Sequence, residues 1–170
     1  SSNTMYIAER GGTIRHFRDN QAQEPFYTFT EISSTSEEGL MGLELDPDYP
    51  NSPFVYASFA YQENNQMFVR IVRLTDINGK GQNPLTILDK IPAARFHAGT
   101  RLRFGPDQKL YITTGDATTK DIAQDLNSLG GKILRINKDG SIPEDNPFPN
   151  SYIYSYGHRN SQGIDFDTIS

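Results

Sequence analysis

The 170-residue chain has no cysteine and no tryptophan. Without thiols there can be no disulfide staple, no thiolate zinc site and no cysteine nucleophile, although their absence fits either redox compartment. No apolar run approaches the roughly 20 residues needed to span a bilayer. The N-terminus also lacks the basic-then-apolar layout of a signal peptide, so the chain is expected to be soluble or already processed. Basic residues are too few for a phosphate backbone: 16 Lys and Arg against 21 Asp and Glu give a net charge of −5, which argues against nucleic acid as a partner. The 3 histidines, at positions 16, 97 and 158, show no i, i+4 spacing, which excludes a helical HExxH zinc site.

What the chain does have is 9 Tyr, 10 Phe, 14 Gly and 10 Pro, aromatic strand formers cut into short pieces by turn residues. Strand-like runs are MYIAER (5–10), TIRHF (13–17), FYTFTEI (26–32), GLMGLEL (39–45), FVYASFAY (54–61) and MFVRIVRLT (67–75). They continue as LTILDKIP (85–92), RLRF (101–104), KLYITTGD (109–116), GKILRINKDG (131–140), YIYSYG (152–157) and GIDFD (163–167). Gly11–Gly12 and QENNQ (62–66) read as hairpin turns and NGKGQNP (78–84) as a connector. The helical spacing of Ile122, Leu126 and Leu129 is too short to make residues 121–131 more than a loop with a turn or two of helix. No linker composition marks a boundary, so residues 1–170 are expected to be one partial domain.

About a dozen short strands imply an all-β antiparallel architecture, with sandwich, barrel and propeller open. A partial repeat favours the propeller. PDYPNSPFVYASFAY (47–61) and GPDQKLYITTGDA (105–117) share a Pro-Asp turn before an aromatic strand and lie roughly 60 residues apart. At four strands per blade the chain supplies about three blades, too few to close a ring, so the rest of a longer chain or a second copy has to complete it.

Two stretches carry more polar function than turns require. In RFHAGTRLRFGPDQKLYITTGD (95–116), His97 sits in a strand-end loop. There it could act as a base near neutral pH or simply bond a neighbouring carbonyl. Gly105–Asp107 reads as a structural turn, and Asp116 as an anchor for loop amides. In SYGHRNSQGIDFD (155–167), Arg159, Asn160 and Gln162 lie between two glycines, where a backbone can approach a ligand. Arg beside Asn suits a planar, oxygen-rich anion, but the pair could equally stitch loops together. Glu37 and Glu38 precede a Gly-rich turn and could be solvated or face a ligand, and His16 reads as a surface residue.

Taken in order, four segments resemble one family. They are EEGLMGLELDPDYPNSPFVYASFAY, HAGTRLRFGPDQKLYITTGDA, LGGKILRINKDGSIPEDNPF and YSYGHRNSQGIDFD, and they cover nearly the whole chain. The family is the soluble quinoprotein glucose/sorbosone dehydrogenases, which include aldose sugar dehydrogenases that use pyrroloquinoline quinone (PQQ). The resemblance implies a six-bladed β-propeller, of which the chain is about the first half, in a periplasmic or extracellular protein. It also implies oxidation of an aldose at the C1 hydroxyl to the lactone, with hydride passing to PQQ and on to an external electron acceptor. On that resemblance His97 is the base, Arg159 and Asn160 contact PQQ, with Arg159 beside its reactive carbonyls, and Glu37 and Gln162 edge the cofactor site. Calcium ligands are expected beyond residue 170, with none within the chain. The sequence departs from the family pattern at Thr100, where Gly is usual, at Phe96, where some glucose-oxidising members have Asp, and at Ser161, where Pro is frequent. These departures bear on sugar preference and cofactor affinity. A non-catalytic propeller of the same family, used for binding, is the alternative.

Overall fold

The computed structural model describes residues 4–167, which form twelve strands and one short 3-10 helix, Lys120–Ala123. The strands fall into three antiparallel sheets. The first holds β1 (Thr4–Ala8), β2 (Thr13–Arg18), β3 (Gln21–Ala22) and β4 (Tyr27–Thr28). β1 pairs along one edge of β2, and β3 and β4 pair with opposite ends of β2. The first sheet is therefore three strands wide rather than the four expected of a blade. The second is a four-stranded meander of β5 (Leu40–Leu45), β6 (Phe54–Glu63), β7 (Gln66–Ile77) and β8 (Lys80–Ala93). The third repeats it with β9 (Leu102–Phe104), β10 (Leu110–Thr113), β11 (Lys132–Ile136) and β12 (Ile153–Tyr156).

The second sheet lies between the other two, and its sequence explains why. Side chains alternate along a strand, so a strand covered on both faces must be apolar throughout. In β6, Val55, Ala57, Phe59 and Tyr61 pack in the cluster shared with the first sheet, whereas Tyr56 and Ala60 pack with Leu102, Leu110, Ile112 and Leu134 of the third. Every one of these β6 residues is at most 3% exposed. β5 touches both β1 and β9, so the first strands of neighbouring sheets meet and gather their ends on one side.

Turns follow the residues that tolerate left-handed backbone. Asn64–Asn65 joins β6 to β7 with φ of 50° and 63°, as a two-residue hairpin turn demands. Asn78–Gly79 does the same between β7 and β8, so the expected 78–84 connector is only this turn and the hairpin continues through it. The first hairpin turn is one step earlier than the Gly11–Gly12 reading, running from Glu9 to Gly12 and closed by the Gly12 N–H on the Glu9 carbonyl at 2.9 Å. The 121–131 stretch is a loop with one short 3-10 segment, as its length implied.

Two expectations fail. His16 is not a surface residue: it shares the inward face of β2 with Ile14, is 4% exposed, and stacks on Tyr6 at 5.0 Å. GIDFD (163–167) has no regular secondary structure and pairs with no described strand. It lies against β9 and β10 instead, through Arg103 Nε to Asp165 at 3.0 Å and Phe166 edge-on to Tyr111 at 4.8 Å.

Candidate active site

The loop between β8 and β9 carries His97, and its shape depends on glycine. A Cβ on Gly115 would sit 1.8 Å from the His97 carbonyl oxygen, and one on Gly99 would sit 2.4 Å from the Gly115 nitrogen. Two backbones therefore touch, which brings His97 against the loop that follows β10. His97, Gly99 and Thr100 all have left-handed backbone, with φ of 57°, 59° and 93°. Such a value in a buried, β-branched threonine is strained, because its Cβ crowds the neighbouring carbonyl.

His97 Nδ1 lies 2.8 Å from Asp116 Oδ1, and the same oxygen accepts the Thr118 N–H at 2.9 Å. An ionised carboxylate can only accept, so Nδ1 carries a proton, and in the neutral imidazole the lone pair is then on Nε2. Asp116 thus anchors a loop amide, as the sequence suggested, and also orients the imidazole, which the sequence did not reveal. The two side chains are 5% and 17% exposed for Asp116 and His97. On the other side, the His97 N–H donates to Glu37 Oε2 at 3.2 Å and the Glu37 N–H donates to the Arg95 carbonyl at 3.1 Å.

The paired acids divide. Glu37 is exposed and lines a cavity of about 660 Å³ with Arg10, Met41, Thr100, Arg101 and Gln162. Glu38 is fully buried and accepts the Ser33 and Thr35 hydroxyls and the Thr35 and Ser36 amides. Burial alone would push its carboxyl up, but these donors override it and pull it down to about 2. Glu38 is a structural anion that shapes the turn holding Glu37.

The 157–162 segment completes the cluster. The Asp116 N–H donates to the Arg159 carbonyl at 2.8 Å, and Gly115 bridges Asn160. Asn160 Oδ1 is buried with no hydrogen-bond partner among the described residues, while Arg159 is exposed. Gln162 gives its carbonyl to Arg101 Nε at 3.0 Å. Below the site, buried Lys132 donates its ammonium to the carbonyls of Ile122, Ala123 and Gly130 and locks the 120–131 loop under Gly115. Among the described residues no group of three His, Asp or Glu could hold a metal ion. Four sequence segments, 33–39, 95–101, 114–118 and 157–162, thus meet around one imidazole whose Nδ1 is held by a carboxylate.

The sequence profile described as "Glucose / Sorbosone dehydrogenase" matches residues 1–170. The chain belongs to the glucose/sorbosone dehydrogenase family. This family member is 30% identical over 96% of its length to quinoprotein glucose dehydrogenase B of Acinetobacter calcoaceticus, of which it spans 41%. It superimposes with a TM-score of 0.84 on the PQQ-bound aldose sugar dehydrogenase of Streptomyces coelicolor, at 36% identity, covering 92% of this chain and 48% of that one. It is also similar, at 27% identity over 88% of its length, to mouse Hedgehog-interacting protein, of which it spans 26%. The glucose/sorbosone dehydrogenase chain therefore spans about half or less of the relatives it matches.

Proposed function

We propose that the site serves the PQQ-dependent oxidation of an aldose at its C1 hydroxyl to the lactone, in a protein whose complete ring has six blades. The observation that carries this reading is the His97–Asp116 pair, with Nδ1 committed to the carboxylate and the flanking residues Glu37 and 98–101 lining a cavity. A flat, carboxylated quinone fits what surrounds that pair. Arg10 and Arg101 line the cavity, where guanidinium groups suit its carboxylates, and the Asn160 oxygen, without a partner among the described residues, could accept a ring N–H of the cofactor. Arg159, Asn160, Gln162 and Glu37 are the residues that would hold the cofactor. When bound, PQQ supplies a two-electron acceptor for the C1 hydride, which an external acceptor later removes. Calcium would be held by residues outside those described.

His97 takes the hydroxyl proton on Nε2 as hydride leaves C1, so the cyclic sugar loses one proton and one hydride and its C1 becomes the lactone carbonyl. Asp116 fixes the tautomer and stabilises the imidazolium that results. Glu37 holds the His97 amide and offers its second oxygen to a sugar hydroxyl.

The test uses the protein containing this chain, loaded with PQQ and Ca²⁺, and reads aldose-dependent reduction of a dye. His97→Ala is expected to abolish reduction with an unchanged melting curve. Undiminished turnover removes His97 from its role. A binding module without chemistry is the second reading, favoured by the strained Thr100 in the cavity wall and by the resemblance to a protein named for interaction. It predicts no spectral change and no thermal shift on titration with PQQ in the presence of calcium.

A further inference from the structure

We propose that Arg101 is a positioning residue for His97, a clamp that joins the start of the second sheet to the 158–167 segment and holds the 97–100 loop between them. The inference rests on the reading of His97 as the base. Arg101 is fixed at its backbone first: its N–H donates to Thr113 Oγ1 at 2.9 Å, and its carbonyl accepts the Thr113 N–H at 3.0 Å. The Thr113 hydroxyl in turn donates to the Ser161 carbonyl at 2.7 Å. From this anchor the guanidinium reaches two ways, Nε to the Gln162 carbonyl at 3.0 Å and Nη1 to the Met41 carbonyl.

Those partners identify the role. Arg101 is exposed and lines the cavity, yet among the described residues it forms no ion pair, and its side-chain hydrogen bonds go to neutral carbonyls of two separate segments. A planar fork can hold two such carbonyls at once, whereas a lysine ammonium on a flexible stem cannot match that geometry. The loop it terminates needs holding, because three of its four residues from His97 to Thr100 are left-handed and one of them is a β-branched threonine. Glu37 and Asp116 hold the His97 end. Arg101 holds the other.

The test has two readouts, and the first needs no cofactor. NMR follows exchange with water of the His97 Nδ1 proton shared with Asp116, in the wild type, Arg101→Lys, Arg101→Gln and an Arg103→Lys control. Arg103, two residues further on in β9, pairs with Glu44 and Asp165 and makes no contact with His97 among the described residues. In both Arg101 variants exchange is expected to rise roughly tenfold or more with the control unchanged. In the loaded protein kcat is expected to fall roughly tenfold or more while the aldose KM moves less. Exchange and kcat at wild-type values in Arg101→Lys overturn the clamp, since charge alone would then suffice. If Arg101→Gln melts too low to give the resonance, Arg101→Lys decides by itself. A wild type that oxidises no aldose, with exchange still raised in the Arg101 variants, keeps the clamp and removes the catalytic reading.

Discussion

The two ends of β10 carry one aspartate each, and the two are built to opposite ends. Asp107, before the strand, accepts Arg135 Nε at 3.0 Å, the Tyr111 hydroxyl at 3.1 Å and the Lys109 amide at 3.1 Å. Arg135 is further bonded to Asp145 and Asn146, at 2.8 and 2.9 Å. Asp116, after the strand, meets a histidine at the edge of a cavity, among left-handed residues at 97, 100, 117 and 118 and beside the orphaned Asn160 oxygen. Around Asp107 the polar side chains are paired in a closed network that stabilises a turn. Around Asp116 strain and an unmet hydrogen bond are tolerated, which is where function is paid for in a fold.

That contrast can be broken from either end. Asp116→Asn keeps the shape but removes the negative charge and puts an NH2 donor where it can face His97, so kcat for aldose oxidation should fall roughly 100-fold or more with the melting temperature nearly unchanged. An equal loss of stability and activity would instead make Asp116 another Asp107. Arg135→Met should do the reverse, costing about 2 kcal/mol in chemical denaturation while activity per folded molecule is retained.

The same variant has a pH signature. Burial alone would raise the Asp107 carboxyl, but Arg135, the Lys109 amide and the Tyr111 hydroxyl hold it below the ordinary carboxylate range. A depressed carboxylate contributes stability above its unfolded value and loses it as pH falls through its folded one. The wild type should therefore lose more stability than Arg135→Met on going from neutral to acid pH. Equal slopes would detach the network from Asp107. The smallest effect is the most pointed: Thr100→Gly should stabilise the protein by about 1 kcal/mol, because glycine accepts a φ of 93° without cost. A loss of stability there would mean that the Thr100 hydroxyl, bonded to the Ala98 carbonyl at 3.0 Å, outweighs the strain it causes.

Strand positions were legible because pleated surfaces select β-branched and aromatic residues, and the doubly buried β6 shows it as an unbroken apolar run. Which face a polar residue takes was harder. His16 shares the inward face of β2 with Ile14, two residues earlier, but its polarity outvoted its position in the reading. GIDFD alternates like a strand, but no strand among the described residues pairs with it. At the site, the loops could be named from glycines and the histidine, since close backbone approach leaves a trace in composition. The Asp116–His97 bond spans 19 residues and the Arg101–Met41 bond spans 60, so neither has a local pattern to betray it. The left-handed Thr100 shows only through the family resemblance, which has Gly at that position, as a φ of 93° would favour.

The spacing of these contacts has a consequence of its own. Glu37 reaches His97 across 60 residues, Met41 reaches Arg101 across 60, Arg101 reaches Gln162 across 61 and Arg103 reaches Asp165 across 62. Each wall of the cavity is delivered by a different lap of the chain, one sheet at a time. A ligand lodged there would report how many laps have been completed, so its appearance during refolding should trail the melting signal of any single sheet and mark the moment when neighbouring laps come into register.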